Sequence, residues 1–224
     1  MKPHIKLAET ITSDGAKMAL FEHDGDYSLS MDGQVFMRSK LSASEKLLGE
    51  VGVARLDTTA ECRVLIGGLG LGFTLAKTFK ASGPKTTIEV VEFTAEVVDW
   101  NREYLKPLNG TLLDDQRVEV VIKDVTCVIR KSKPGTYNAI LLDVDNGPVS
   151  MVTKGNFSLY SNNGIRAIRA ALKSNGRAVF WSAGTDPLFV ERLRRNGFRV
   201  IPTPAKVHEG AKRAAYMLYV ADKA

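Results

Sequence analysis

The chain has 224 residues, with 31 basic and 25 acidic side chains and a net charge of +6. One α/β domain, or one domain with a small appendage, fits this length and buries about 70% of its unfolded surface without disulfide or metal staples. Hydrophobic residues at 44% and charged residues at 25% exclude a disordered chain.

No apolar run approaches the ~20 residues that span a bilayer. Residues 1–9 lack the apolar stretch of a secretory leader, so a cytoplasmic protein with no membrane partner is expected. For the same reason the glycosylation sequons at Asn109 and Asn156 are set aside. Cys62 and Cys127 read as free thiols of a reducing compartment. His4, His23 and His208 are too scattered for a ligand set, so no metal is expected. The pI of 9.3 permits acidic partners, yet the charge is spread along the chain and nucleic acid is not favoured.

In chain order, segments 5–11, 16–23, 27–31 and 34–38 are short, alternating and punctuated by Asp-Gly turns, which predicts small antiparallel hairpins. A short helix over 45–53 follows. From Cys62 onward, strands at 63–67, 87–92, 118–123, 139–144 and 177–182 alternate with helices at 73–82, 94–105, 159–173 and 186–196. The strand runs are apolar throughout, as in strands buried on both faces of a parallel sheet. Asp186-Pro187 is a helix start signal, and Asn175-Gly176 and Asn196-Gly197 are stop signals. Segments 198–201 and 214–220, separated by a Pro202/Pro204 break and a basic loop, predict a C-terminal antiparallel hairpin. The expected organisation is a β-hairpin region over 1–55 and a Rossmann-like nucleoside-binding domain over 56–224.

The strongest local motif runs from strand to helix as Val-Leu-Ile-Gly-Gly-Leu-Gly-Leu-Gly, residues 64–72. Gly68, Gly70 and Gly72 permit a tight turn and close approach of a ligand to the backbone. A dinucleotide fingerprint needs its third glycine where Phe73 stands, and no Walker lysine follows, so the spacing suits a nucleoside without pyrophosphate. Glu92 ends the second strand, twenty residues past Gly72, where a carboxylate can take both ribose hydroxyls. Asp124 ends the third strand, where it can accept from an adenine amino group. The plainer reading of both is a carboxylate that caps the next helix. Together with the loop they point to an adenosine ligand such as S-adenosylmethionine or a relative.

The fourth strand leads into Asp143-Val144-Asp145-Asn146-Gly147-Pro148. Clustered carboxylates at the carboxyl end of a central strand suit a cationic substrate or proton removal from an amine. Asp143 and Asp145 are the candidate catalytic pair, and a second acid nearby raises the pKa of the first. The plainer reading is an Asp-x-Asp turn, although no glutamate follows at the spacing of a calcium loop.

With these residues the chain resembles the spermidine synthase group of aminopropyltransferases, a methyltransferase-type Rossmann domain behind a small β domain. Met31-Asp32-Gly33 is similar to the family's Leu-Asp-Gly hairpin, and Glu45 to the glutamate that opens its next helix. Residues 67–72, including Gly67, stand where the family has Gly-Gly-Gly-Asp-Gly-Gly. Residues 143–148 resemble its Asp-Ser-Ser-Asp-Pro segment, and residues 157–160 and 181–184 resemble its Phe-x-x-x-Phe-Tyr and Gln-Ser-Gly-Ser stretches. The resemblance implies a ribose contact at Glu92, an adenine contact at Asp124 and a base at Asp143. It further implies decarboxylated S-adenosylmethionine as cosubstrate, with nothing bound covalently, and a small-molecule amine as acceptor. Separately, the open edges of the short N-terminal strands predict a homodimer.

The sequence departs from the family pattern at Gly70, where the loop aspartate is missing, at Ala43-Ser44 in place of Tyr-His, and at Phe36 in place of glutamine. Two other functions therefore stand beside aminopropyl transfer. One is methyl transfer from intact S-adenosylmethionine, whose carboxylate glycine amides would accept. A methyltransferase could present Arg192, Arg194, Arg195, Arg199, Lys206, Lys212 and Arg213 to an anionic substrate, though the plainer reading is a solvated face. The other is a non-catalytic nucleoside-binding relative.

Overall fold

The computed structural model describes residues 3–13, 15–144 and 157–224. Strands β1 (Ile5–Ile11), β2 (Lys17–His23), β3 (Asp26–Met31) and β4 (Gln34–Arg38) form an antiparallel sheet in sequential order. Its two tight hairpins turn on Asp24-Gly25 and Asp32-Gly33, and all four residues have positive φ. That is the mirror-image turn which matches strand twist, and Asp-Gly is the pair that adopts it with least strain. Met18, Leu20 and Leu29 carry the buried face of this sheet into the main core.

Helix α1 (Ala43–Val53) leaves the small sheet and packs on the larger one. There follow β5 (Cys62–Gly67), α2 (Phe73–Ala81), β6 (Thr86–Glu92), α3 (Ala95–Glu103), α4 (Lys106–Asn109), β7 (Val118–Ile122), α5 (Val125–Lys131) and β8 (Tyr137–Leu142). The chain ends with α6 (Phe157–Tyr160), α7 (Asn162–Ala171), β9 (Leu172–Ser182), α8 (Pro187–Arg195), β10 (Phe198–Ala205) and β11 (Tyr216–Lys223). Seven strands lie in the order β10-β11-β9-β8-β5-β6-β7. Val64, Leu65, Ile66, Ala139, Ile140 and Leu141 are fully buried, as expected of central parallel strands covered on both faces. One core layer joins α1, α2, α3 and the small sheet, and the other joins α5, α7 and α8.

Several details differ from the sequence reading. The helix expected over 159–173 is split into α6 and α7 and ends at Ala171, so Asn175-Gly176 lies inside β9 and stops no helix. Helix α5 was not expected, because its seven residues are too few to show a period. Strand β10 does not break at its prolines. It forms the sheet edge, and Pro202 and Pro204, two apart, share one side of the strand, where no ladder hydrogen bond is needed. The terminal hairpin does not run wholly against the sheet either. Strand β11 slots between β9 and β10 and is antiparallel to both, so β10, after its crossover through α8, is parallel to β9.

The insertion is anchored by Asp222 on β11. Arg177 Nε and Nη2 hold its two oxygens at 2.7 and 3.1 Å, and Arg55 reaches it at 3.0 Å. Arg177 also donates to the Val51 carbonyl at 2.8 Å, which ties α1 to the same point. Burial alone would raise the Asp222 carboxyl, but the Arg177 hydrogen bond and the Arg177 and Arg55 charges outweigh it and hold it below the usual range. A lowered folded-state pKa adds stability above the unfolded value near 4 and loses it as pH falls through the folded value. Asp222→Asn is expected to cost about 1–3 kcal/mol at pH 7, with a smaller difference from wild type at pH 3. Urea unfolding at the two pH values measures both, and an equal difference would refute the charge assignment.

Candidate active site

Beyond Gly67 the chain turns through the glycine loop into α2. Gly68 has φ +90°, and a Cβ on it would run into the carbonyl of Asp143. Gly72 has φ +83°, and a Cβ there would strike the side-chain amide of Asn109. The protein's own backbone and packing thus already require glycine at these two places. Behind the loop, Asn101 Nδ2 donates to the Gly70 carbonyl at 2.8 Å and Asn109 Nδ2 to the Leu71 carbonyl at 2.7 Å. The two amides are linked at 2.9 Å. Sequence reading missed both, and Asn109, seen there only as a sequon, spends its amide inside the fold.

Glu92 and Asp124 end on neighbouring strands, with Lys123 N–H bonded to the Glu92 carbonyl at 3.0 Å. Glu92 accepts from Leu69 N–H through Oε2 and from Thr94 N–H through Oε1, each at 2.9 Å. It therefore braces the loop and the start of α3 together. Asp124 is the N-cap of α5 and accepts from Thr126 N–H at 2.7 Å. The capping role is thus real for Asp124, and its other oxygen, Oδ2, accepts from the Cys127 thiol at 4.0 Å. Phe93 and Ile122 place exposed apolar surface beside these two acids. The structure lines up Gly67, Gly68, Gly70, Gly72, Glu92 and Asp124 along the carboxyl ends of β5, β6 and β7.

Asp143 follows β8 directly, and its N–H bonds the Gly67 carbonyl at 2.9 Å. The strand ends at Leu142, short of the expected 144, yet side-chain alternation continues. Asp143 meets α1 and α2 on one face, and Val144 packs into the core on the other. Thr74 Oγ1 donates to Asp143 Oδ2 at 2.7 Å. Glu45 lies in the first turn of α1, and Ser44 Oγ donates to its Oε2 at 2.5 Å. Burial, followed by the charge of Glu45, raises the Asp143 carboxyl to about 7, against the pull of the Thr74 hydrogen bond. Glu45 is raised as well, by burial first, with the Ser44 hydroxyl opposing.

The wall beyond Glu45 is aromatic. Tyr216 is raised by burial and by the Glu45 charge, and its ring centre lies 4.8 Å from that of Trp181. Trp181 Nε1 is buried and meets no acceptor among the described residues. Asp145, with residues 146–148, lies outside the described residues. Of the basic cluster, Arg192, Arg194 and Arg195 lie on α8 and Arg199 on β10. Lys206, Lys212 and Arg213 lie in the loop before β11, whose Val207 carbonyl accepts from Ala43 N–H at the start of α1. Three members have structural partners. Arg192 donates to the Tyr160 carbonyl at 3.0 Å, Arg195 pairs with Glu191, and Arg199 lies 3.9 Å from Asp222.

A partly buried acid with a raised pKa lowers stability as pH rises from its unfolded pKa to its folded one. Here the folded state holds the Asp143 proton to about pH 7 while the unfolded state releases it near 4, so stability falls with rising pH across that window. Asp143→Asn keeps the Thr74 hydrogen bond without the charge. It is expected to be about 1–3 kcal/mol more stable than wild type at pH 8 and nearly equal at pH 3. Thermal unfolding at both pH values is the check, and a variant less stable at pH 8 would contradict the assignment.

Over 139 residues the chain is 30% identical to a polyamine aminopropyltransferase of Bacillus mycoides, which covers 61% of this chain and 46% of that protein. Over 116 residues it is 29% identical to putrescine N-methyltransferase 1 of Nicotiana tabacum, covering 51% and 28%. The chain spans less than half the length of these curated relatives. Among solved structures, spermidine synthase from Thermotoga maritima superposes with a TM-score of 0.70 at 22% identity, over 98% of this chain and 73% of that one, which shows a shared fold. Residues 45–196, from the first turn of α1 to the end of α8, match the model of the spermine/spermidine synthase domain, and the chain belongs to that family.

Proposed function

We propose that the protein transfers an aminopropyl group from decarboxylated S-adenosylmethionine to a small amine. The observation that carries this reading is the Asp143–Glu45 pair, closed in at the carboxyl end of β8 and joined through Gly67 and Gly68 to the glycine loop. The donor nucleoside would lie over the loop, its ribose on Glu92 and its adenine between Asp124 and the exposed Phe93 ring. An amine reaches the pocket as an ammonium ion, attracted by two carboxylates. Asp143, poised near neutrality, takes one proton and frees the nitrogen lone pair. That lone pair forms a bond to the aminopropyl carbon next to the sulfonium, the carbon–sulfur bond breaks, and methylthioadenosine leaves with the electron pair. Sulfonium is a good leaving group, so positioning and desolvation of the amine supply most of the rate.

Methyl transfer from intact S-adenosylmethionine is the second reading, and one feature favours it. Position 70 carries no acid, and a Cβ there would sit 2.8 Å from Met37 Sδ and Cε, so a thioether covers this part of the loop. Among the described residues, the atoms nearest that point are those of the neutral Met37 thioether. Calorimetric titration with decarboxylated S-adenosylmethionine, intact S-adenosylmethionine and methylthioadenosine separates the two, and tighter binding of the intact form moves methyl transfer ahead.

Two variants divide the roles. Asp143→Ala is expected to lose about 10²–10⁴ in turnover while nucleoside affinity stays within a few fold. Glu92→Gln is expected to lose about 1.5–3 kcal/mol of methylthioadenosine affinity. Equal losses of turnover and affinity in the alanine variant would make Asp143 a binding residue. Absence of aminopropyl product with putrescine, cadaverine, agmatine and spermidine alike would overturn the reaction.

A further inference from the structure

We propose that Thr74 is a positioning residue for Asp143, linking the helix that follows the donor loop to the proton acceptor. The inference rests on the functional reading above and deepens it. Thr74 stands in the first turn of α2, two residues past Gly72, and is 2% exposed among apolar neighbours such as Leu71 and Leu75. A buried hydroxyl needs a partner, and this one has a single proton to give. Two acceptors are in reach, Asp143 Oδ2 at 2.7 Å and the Glu45 carbonyl at 3.3 Å. The shorter, charged acceptor takes it.

The bond has two consequences. It fixes the rotation of the Asp143 carboxylate, and among the described residues Oδ1 receives no hydrogen bond, so that oxygen is the one offered to the amine. It also favours the ionised form, against burial and against the charge of Glu45. The other titratable groups around the pair are Lys46, which lowers Glu45 from α1, and Tyr216, which feels Glu45 from β11. Thr74 is thus the described neutral donor that keeps Asp143 able to accept a proton. Because α2 starts where the loop ends, the grip on the donor and the state of the base share one rigid element.

The test follows the Asp143 carboxyl by carbon-13 NMR, identified by its loss in Asp143→Asn. Thr74→Val removes the hydroxyl at nearly constant shape. Its Asp143 midpoint is expected to rise by about one pH unit, and Thr74→Ser to restore it. Turnover of Thr74→Val should fall about fivefold at pH 7, the change in ionised fraction for such a shift, and the deficit relative to wild type should narrow towards pH 9. A purely structural role would give a deficit independent of pH. Should the valine variant fail to fold, Thr74→Ser and Thr74→Ala differ only in the hydroxyl and carry the same comparison. An unshifted midpoint in the variant lacking the hydroxyl overturns the proposal, even where product forms. A shifted midpoint with no aminopropyl product from wild type upholds the hydrogen bond and overturns the reaction instead.

Discussion

Helix α1 comes within backbone contact of α2 and β8, and the pocket depends on that closeness. A Cβ on Gly49 would lie 2.8 Å from the Thr74 carbonyl, and one on Gly52 would lie 2.6 Å from the Leu141 side chain. Each glycine inside a helix costs roughly 0.5–1 kcal/mol against alanine. Here the absence of side chains lets the helix settle onto its neighbours. Glu45 stands one turn before Gly49 on the same face, so the close packing carries its carboxylate to Asp143. Two like charges held together and partly shielded from water raise each other's pKa, and an acid that accepts a proton near neutrality follows from where a helix can lie.

Much of this was legible in the sequence, because it is written in local pattern. The Asp-Gly hairpins, the apolar central strands, the glycine loop and the acids at strand ends each follow from a short-range rule that tertiary packing did not overturn. What the sequence withheld depends on partners far apart in the chain. Thr74 is an ordinary helix residue until Asp143, 69 positions later, comes to rest on it. Asn101 and Asn109 have no periodic signature, since their role is to meet two loop carbonyls more than thirty residues upstream. Gly49 and Gly52 look like weak points of a short helix. Tyr216 reaches the pocket because β11 slots between β9 and β10, an arrangement no hairpin pattern discloses.

Glu92 has a structural role that leaves room for the ribose contact proposed for it. Its two oxygens already receive main-chain N–H groups of Leu69 and Thr94, so the carboxylate is aimed before any nucleoside arrives. Each oxygen keeps capacity for another donor. A pre-aimed group loses little rotamer freedom on binding, which is the chief gain from preorganisation. The same economy holds for Asp124, whose helix cap fixes the carboxylate from below.

The near-contact between Gly68 and the Asp143 carbonyl has a bearing on how such a protein can change. The register between the turn that would cradle the donor and the residue that would take the proton is set by main chain against main chain, with no side chain between. Substitutions at the rim, at Met37, Phe93, Trp181 or Tyr216, can therefore reshape what enters without altering the spacing of the reacting parts. A lineage can explore new acceptors or donors by drift around the pocket and keep its reactive geometry as an inheritance of the backbone. Position 68 itself is closed to that exploration, because any side chain there would push the two halves apart.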